Sequence, residues 1–204
     1  MCLKSFGHKT EVGLFFGSFN PIHNGHLNLA HHILDHTYIE QVWFVVSPNN
    51  PLKNADTLMD ENIRVKLAQA AIDSEERMRV CDIELSMPRP SYTANTLREL
   101  SLRHPNLRFT LIIGADNMLC FNRWREYNFI ISTYPIMVYP RPNYPLNQIT
   151  TLYPQMQVLQ DAPLFDISAT QIRQLLHSNP QASLNHLMPD DEAALLKQIW
   201  NTNN

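Results

Sequence analysis

The chain has 204 residues, with 16 Lys and Arg against 19 Asp and Glu and a formal net charge of −3. This near balance, with no basic cluster, argues against a nucleic-acid binder, which would carry a basic face. No apolar stretch approaches the length of a membrane span, and residues 1–10 lack the apolar core of a signal peptide. We therefore expect no membrane partner and no nucleic-acid partner.

The cysteines indicate a reducing compartment. There are three of them, Cys2, Cys81 and Cys120, and no two form a CxxC pair. An odd number without paired spacing is not typical of a disulfide framework. The sequence thus predicts a cytoplasmic protein.

Predicted strands and helices alternate along the chain. Short apolar runs predict strands at residues 11–16, 41–46, 79–85, 108–113, 134–139 and 157–159. Apolar residues at helical spacing predict helices from about residue 24 to 34 and at residues 62–73, 93–103, 168–176 and 191–200. Ser91 or Thr93 is a plausible cap for the third helix. Residues 47–60 and 140–154, rich in Pro and Asn, are predicted loops.

This alternation predicts an α/β fold, a Rossmann-like doubly wound parallel sheet with helices on both faces. Residues 1–204 are expected to form a single domain with a C-terminal helical part from about residue 168. Ligands bind such sheets at the C-terminal ends of the strands. Three polar segments directly follow predicted strands, at residues 17–26, 47–53 and 114–116, so we expect them to meet in space.

The first polar segment, Gly17–His26, joins a Gly-Ser turn to two histidines, His23 and His26. If a helix begins near Asn24, both imidazoles lie near its positive end and can donate N–H groups to phosphate oxygens. A metal site is a weaker alternative, suggested by the nearby His31, His32 and His36, because no cysteine and few carboxylates accompany them. Two surface histidines beside a capping turn is the third reading.

Two further segments offer positive charge or backbone donors to an anion. Lys53 projects from a proline-stiffened loop and suits a triphosphate, although alone it reads as a solvated lysine. Ser168 is a good N-cap, and with Thr170 and the first N–H groups of its helix it would form an anion nest. Arg173 follows about one turn later and could reach the same anion, while the alternative is a capped helix with a surface arginine.

Polar and aromatic residues complete the candidate site. Asp116, after a predicted strand and Gly114, could hold a ribose hydroxyl or a water on Mg²⁺, or simply cap a helix. Trp124 lies between two arginines, so we expect it to be partly exposed, either stacking on a planar ring or half-buried on a helix. Tyr92 and Thr93 are candidates for the same pocket.

Together these segments resemble the nucleotidylyltransferase superfamily defined by an HxGH motif, and within it the nicotinate-nucleotide adenylyltransferase family. The HxGH motif alone specifies only the superfamily. The Ser-Tyr-Thr block, together with Gly-Ala-Asp and the downstream Trp, narrows the resemblance to this family. The matching blocks, in the family's order, are residues 17–26, 48–53, 91–97, 113–116, 123–127 and 167–173. The chain departs from the family pattern at Phe16, Leu52 and Ala169.

The resemblance implies roles for named residues. The catalytic residues would be His23, His26, Lys53 and Arg173. ATP would be bound by Gly17, Ser18, Phe19, His23, His26, Gly114, Asp116, Ile167, Ser168, Thr170 and Arg173. Nicotinate mononucleotide would be bound by Ser18, Phe19, Lys53, Tyr92, Thr93, Trp124 and Arg141. Mg²⁺ would arrive with the ATP phosphates, without protein side chains as ligands.

The implied reaction joins ATP to nicotinate mononucleotide, giving nicotinate adenine dinucleotide and pyrophosphate. The attacking phosphate is already ionised near neutral pH, so no general base is needed. The alternatives are a sister enzyme acting on nicotinamide mononucleotide or phosphopantetheine, a non-catalytic nucleotide-binding module, and a histidine-based metalloprotein.

Overall fold

The computed structural model describes residues 9–48 and 58–203, and within them six parallel strands form one sheet. The strand order is β3-β2-β1-β4-β5-β6. The strands are β1 (Thr10–Gly17), β2 (Gln41–Val46), β3 (Met78–Cys81), β4 (Leu107–Gly114), β5 (Ile136–Tyr139) and β6 (Gln157–Val158). The central strand β1 pairs with β2 on one side and with β4 on the other.

Eight α-helices lie within the described residues. They are α1 (Asn24–His36), α2 (Glu61–Ala71), α3 (Thr93–Arg103), α4 (Ala115–Met118), α5 (Tyr127–Thr133), α6 (Leu146–Leu152), α7 (Ala169–Ser178) and α8 (Asp190–Asn203). None of the helices in residues 9–48 and 58–203 is long and apolar enough to cross a bilayer.

Side chains of the strands alternate between two apolar cores, one on each face of the sheet. Phe15 and Phe44 pack with α1 and α2 on one face, whereas Leu14 and Trp43 pack with α3 to α6 on the other. Burial on both faces explains why the strands read as unbroken apolar runs. The predicted α/β fold with a doubly wound parallel sheet is confirmed.

The last two helices pack on α2 through a third apolar cluster, which joins Leu67 of α2 to Ile172 of α7 and Leu196 of α8. The chain between these helices also reaches the start of α1, where the N–H group of Asn24 donates to the carbonyl oxygen of Leu187 at 2.8 Å. The C-terminal helical part is therefore held against the HxGH segment.

Several boundaries differ from the sequence prediction. The predicted strand at residues 79–85 is half wrong, because β3 ends at Cys81 and residues Ile83–Ser86 form a 3-10 turn. The predicted loop at residues 140–154 contains α6, which buries Ile149. Two short helices, α4 and α5, follow β4 and were not predicted. Such helices are too short to show periodicity in the sequence.

The predicted caps had different outcomes. Ser168 caps α7 through a capping box with Gln171, as expected. Neither Ser91 nor Thr93 caps α3, because Tyr92 occupies the N-cap position and makes no side-chain cap bond. The hydroxyl group of Ser91 instead donates to the carboxylate of Glu84.

Glu192, in the first turn of α8, gives the stability of the protein a testable pH dependence. Its side chain is fully buried, and neither carboxylate oxygen has a hydrogen-bond partner in the described part of the chain. Burial raises the pKa of Glu192 to about 9, whereas the pKa of an unfolded Glu is about 4.3. Between these two values the folded protein holds a proton that the unfolded chain has lost. The free energy of unfolding therefore falls as pH rises from about 5 towards 9.

Glu192→Gln mimics the protonated side chain. We predict that the Tm of this variant, relative to the Tm of the native protein, increases as pH rises. The gain should be larger at pH 8 than at pH 5 by about 3 °C or more, since about 1 kcal/mol shifts Tm by about 2–4 °C in a chain of this size. Thermal unfolding at the two pH values measures it. Asp191→Asn, at the exposed neighbouring position, is the control and should show no such pH dependence. Equal shifts for Glu192→Gln at both pH values would contradict the prediction.

Candidate active site

A cleft of about 750 Å³ opens at the C-terminal ends of β1 and β4. It contains every predicted site residue that the structure describes. These are Gly17, Ser18, Phe19, His23, His26, Tyr92, Thr93, Gly114, Asp116, Trp124, Arg141, Ile167, Ser168, Thr170 and Arg173. Lys53 lies outside the described residues. Segments far apart in sequence, including residues 17–26, 114–116 and 168–173, thus meet at one edge of the sheet.

The two histidines of the HxGH segment form a closely packed, tilted ring pair at the start of α1. The ring centroids of His23 and His26 lie 3.7 Å apart, with an angle of 31° between the ring planes. The ring of His26 also contacts the edges of Phe15 and Phe19, at centroid distances of 5.8 and 5.1 Å. The two phenyl rings therefore fix the orientation of the His26 imidazole, against which the His23 ring packs.

His23 is neutral at physiological pH. Burial and the neighbouring Arg141 lower the pKa of His23 to about 4. Its side chain is only 6% exposed, and its Nδ1 atom has no hydrogen-bond partner within the described residues. A neutral imidazole still offers one N–H donor, so His23 can donate a hydrogen bond without carrying a charge.

Two glycines of this segment are required by close packing. A Cβ atom at Gly25 would lie 3.0 Å from Nδ1 of His23, so any larger residue displaces that ring. A Cβ atom at Gly17 would lie 2.7 Å from the ring of Phe19. Phe19 is buried and its ring packs against Phe15 and Phe44, so it has little room to move. The spacing of small residues thus fixes the positions of the aromatic and imidazole rings.

Arg173 connects the start of α7 to the HxGH segment. Its Nη1 donates to the carbonyl oxygen of Asn20 at 2.7 Å, and its Nη2 donates to Oγ1 of Thr170 at 3.3 Å. Burial lowers the pKa of Arg173 from its ordinary value. The hydroxyl group of Ser168 is engaged in the capping box with Gln171. The helix start that was predicted to bind an anion therefore lies beside the two histidines, with its arginine turned into the cleft.

The opposite wall of the cleft is aromatic and cationic. The guanidinium group of Arg125 lies over the ring of Tyr92, with its Cζ 4.7 Å from the ring centroid. Trp124 is half-buried against Phe121, at a centroid distance of 5.3 Å, as its flanking charges suggested. The sequence gives no signal for this contact of Arg125, because a charged residue beside Trp124 is typical of a solvated surface.

Charge is distributed between the two halves of the cleft. Arg141 approaches Asp116, with Nε 3.6 Å from Oδ1. That oxygen is buried and makes no hydrogen bond in the part of the chain that the structure describes. The cleft is also lined by Arg123, Arg125 and Arg173, so cations outnumber carboxylates there. Such a surface suits polyanions.

Comparison with known proteins identifies the family. Residues 14–175 match the cytidylyltransferase-like family model. A Bacteroides fragilis protein named "probable nicotinate-nucleotide adenylyltransferase" is 46% identical over 82% of this chain and 83% of its own length. One of the same name from Cytophaga hutchinsonii is 40% identical over 91% and 95%. The chain belongs to the nicotinate-nucleotide adenylyltransferase family.

The fold agrees with this family. The nicotinic acid mononucleotide adenylyltransferase of Plasmodium falciparum, solved in complex with NaAD, superposes with a TM-score of 0.74. It covers 95% of this chain and 98% of its own, at 16% sequence identity. At that identity the likeness concerns the fold alone.

Arg64 of α2 is a buried cation that the sequence reading missed. It is 1% exposed and donates to four backbone carbonyl oxygens, those of Ser18, Ser47, Pro48 and Met59, at 2.5, 2.8, 2.9 and 3.0 Å. It therefore joins the loop after β1 to the loop after β2. Burial lowers its pKa from the ordinary value, yet a guanidinium group stays protonated in proteins. An arginine within the apolar stripe of α2 was the available signal.

We predict that Arg64→Met destabilises this adenylyltransferase by about 3 kcal/mol or more, since several buried carbonyl groups lose their donor at about 1–3 kcal/mol each. Arg64→Lys should be less stable than the native protein but more stable than Arg64→Met. Its single ammonium group can bind some of these carbonyl groups but cannot reach the same set. Urea unfolding measures both changes.

Arg103→Met is the matched control. Arg103 pairs with Glu99 on an exposed helix face, with its side chain 54% exposed, so its loss should cost no more than about 0.5 kcal/mol. If Arg64→Met cost no more than this control, the clamp between the two loops would be refuted.

Proposed function

We propose that this cleft transfers the adenylyl group of ATP to nicotinate mononucleotide, giving nicotinate adenine dinucleotide and pyrophosphate in NAD biosynthesis. The family supports the reaction, since relatives at 40–46% identity carry that name. The observation that carries the proposal is the meeting of three elements in one cleft: the HxGH imidazole pair, Arg173 and the Tyr92–Trp124 wall. A cytoplasmic location belongs to the same proposal.

The two halves of the cleft suit the two substrates. ATP is assigned to the side of the HxGH segment and α7, where the imidazoles and Arg173 face its phosphates. Gly114 and Asp116 are assigned to the nucleotide riboses. The nicotinate ring is assigned to Tyr92, Thr93 and Trp124 on the other wall. Arg141, which lies beside Asp116, is assigned to the phosphate of the mononucleotide.

The reaction needs alignment rather than a base. An oxygen of the mononucleotide phosphate attacks the α-phosphorus of ATP, and the bond from that phosphorus to the bridging oxygen of the β-phosphate breaks as pyrophosphate leaves. Both reactants are anions, so positive donors must offset their repulsion and hold attacking and leaving oxygens in line. No covalent intermediate with the enzyme is required.

Each donor has a distinct part in this proposal. His26 donates to the α-phosphate as negative charge builds there. His23 is neutral, with a pKa of about 4, and donates a second hydrogen bond while adding no charge. Arg173 stabilises the departing pyrophosphate, and Lys53 is assigned the same part from outside the described residues.

Mg²⁺ fits the proposed site as a companion of ATP. Asp116 offers a buried oxygen that makes no hydrogen bond among the described residues, a suitable acceptor for a metal-bound water. No group of three or more His, Cys, Asp or Glu in residues 9–48 and 58–203 could hold a metal by itself. When bound by the triphosphate, the ion would neutralise negative charge on its oxygens.

Release of pyrophosphate from ATP tests the proposed function. Purified protein is offered nicotinate mononucleotide, nicotinamide mononucleotide or phosphopantetheine in turn, and the dinucleotide product is identified by chromatography. We expect the highest kcat/KM with nicotinate mononucleotide. A preference for either other acceptor would identify a sister transferase, and no release with any of them would identify a non-catalytic nucleotide-binding module.

We predict that His26→Ala lowers kcat by about two orders of magnitude or more, the usual scale for one oxyanion donor. Tm should change little, since the ring is only half-buried. His36→Ala is the control, because His36 is on the same helix but lies on its exposed end. Near-normal turnover by His26→Ala would remove His26 from the mechanism.

A further inference from the structure

Glu84 is a buried carboxylate at the edge of the cleft. It lies in the 3-10 turn Ile83–Ser86 after β3 and is 2% exposed. Its Oε2 accepts a hydrogen bond from Oγ of Ser91 at 2.9 Å, and its Oε1 accepts one from Oγ1 of Thr96 at 2.7 Å. Hydrogen bonds to an ionised acceptor are about twice as strong as neutral ones.

The two hydroxyl donors bracket the residues assigned to the nicotinate ring. Ser91 precedes Tyr92 and Thr93, and Thr96 follows them by one turn of α3. Thr96 also lies 3.3 Å, through Oγ1, from the carbonyl oxygen of Tyr92. Since Tyr92 makes no side-chain cap bond, the beginning of α3 is fixed from outside, by the carboxylate of Glu84.

The partners of Glu84 indicate a geometric role. No Lys, Arg or His of the described residues forms an ion pair with it. Burying a charge is costly unless hydrogen bonds compensate it. Here the compensation comes from two hydroxyl groups that flank, in sequence, Tyr92 and Thr93, the residues of the base pocket. The same charge therefore holds both ends of that segment in place.

The side of the cleft assigned to ATP is held by other elements. The HxGH imidazoles and Arg173 are positioned by β1, α1 and α7, and by the carbonyl oxygen of Asn20. Among residues 9–48 and 58–203, the hydrogen bonds of Glu84 go to Ser91 and Thr96 and do not reach these elements. A substitution of Glu84 should thus change the geometry of the base pocket and leave the donors to the ATP phosphates in place.

We propose that Glu84 is a positioning residue that sets the affinity for the mononucleotide by fixing Ser91 and Thr96 around Tyr92 and Thr93. This inference rests on the proposed function and adds to it the residue that determines the geometry of the base pocket. Tyr92 is also covered by the guanidinium group of Arg125, so Glu84 and Arg125 both hold this wall of the pocket.

Steady-state kinetics with both substrates test the proposal. Ser91→Ala, Thr96→Val and Glu84→Gln each remove or weaken one interaction while keeping the shape of the side chain. Each should raise KM for nicotinate mononucleotide by about tenfold, the scale of losing a hydrogen bond to a charged group. KM for ATP should change less than about twofold. The amide of Glu84→Gln carries no charge and turns a donor towards one of the two hydroxyl groups, so it weakens the same hydrogen bonds.

A double-mutant cycle and a control separate positioning from general damage. The effect of Ser91→Ala should be much smaller in a Glu84→Gln background than in the native protein, because both act through one hydrogen bond. Glu99→Gln, on the exposed face of the same helix α3 and paired with Arg103, should leave both KM values unchanged.

Different outcomes would refute the role of Glu84 and the proposed reaction. Equal increases in both KM values, or lower Tm with both KM values unchanged, would overturn the role of Glu84 while leaving the reaction intact. Absence of pyrophosphate release by the native protein would instead refute the proposed function. If Glu84→Gln did not fold, Ser91→Ala and Thr96→Val would still test the split between the two KM values.

Discussion

The reversal of strand order beside β1 is the constraint on which the site depends. Because β2 pairs with one edge of β1 and β4 with the other, the connections leave the sheet towards opposite faces and a crevice opens between them. The loop after β1 carries the HxGH segment to one side of this crevice. The segment after β4 carries Asp116 and Trp124 to the other. Two anionic substrates can therefore enter from different sides and meet at the strand ends.

Two buried charges keep the walls of the crevice in place. Arg64 binds four carbonyl oxygens from the loops after β1 and β2 and from the start of its own helix. Glu84 binds two hydroxyl groups at the start of α3. Each is compensated by uncharged hydrogen-bond partners, carbonyl groups for Arg64 and hydroxyl groups for Glu84. The hydrogen bonds of these two side chains hold in place segments of the cleft that the sheet does not. The donors can therefore be kept in the precise positions that phosphoryl transfer requires.

Much of the arrangement could be predicted from the sequence. Apolar runs and helical stripes located the central strands and the longer helices, and the polar segments after strands pointed to a common edge of the sheet. The HxGH segment and Ser168 could be recognised as helix starts. The backbone N–H groups of a helix start need the same kinds of partner wherever the helix occurs. The short helices α4 to α6 were missed, since four to seven residues show too little periodicity.

The two buried charges escaped prediction for a different reason. Arg64 acts through contacts distant in sequence, 16 and 46 residues for two of its carbonyl partners. Glu84 stands in an apolar run that reads as a strand, where a carboxylate looks like the solvent-facing member of an alternating pattern. Arg64 left a trace as a charge on the buried stripe of α2, but only the fold reveals the carbonyl groups it binds.

A crystal structure with a non-hydrolysable ATP analogue and nicotinate mononucleotide tests the central claim most directly. The account predicts the phosphate chain between the imidazoles of His23 and His26 and the guanidinium group of Arg173, with the nicotinate ring against Tyr92 and Trp124. Both ligands should lie in the one cleft, with the attacking phosphate opposite the leaving group. Phosphates bound away from the two imidazoles, or a base bound outside the Tyr92–Trp124 wall, would contradict it.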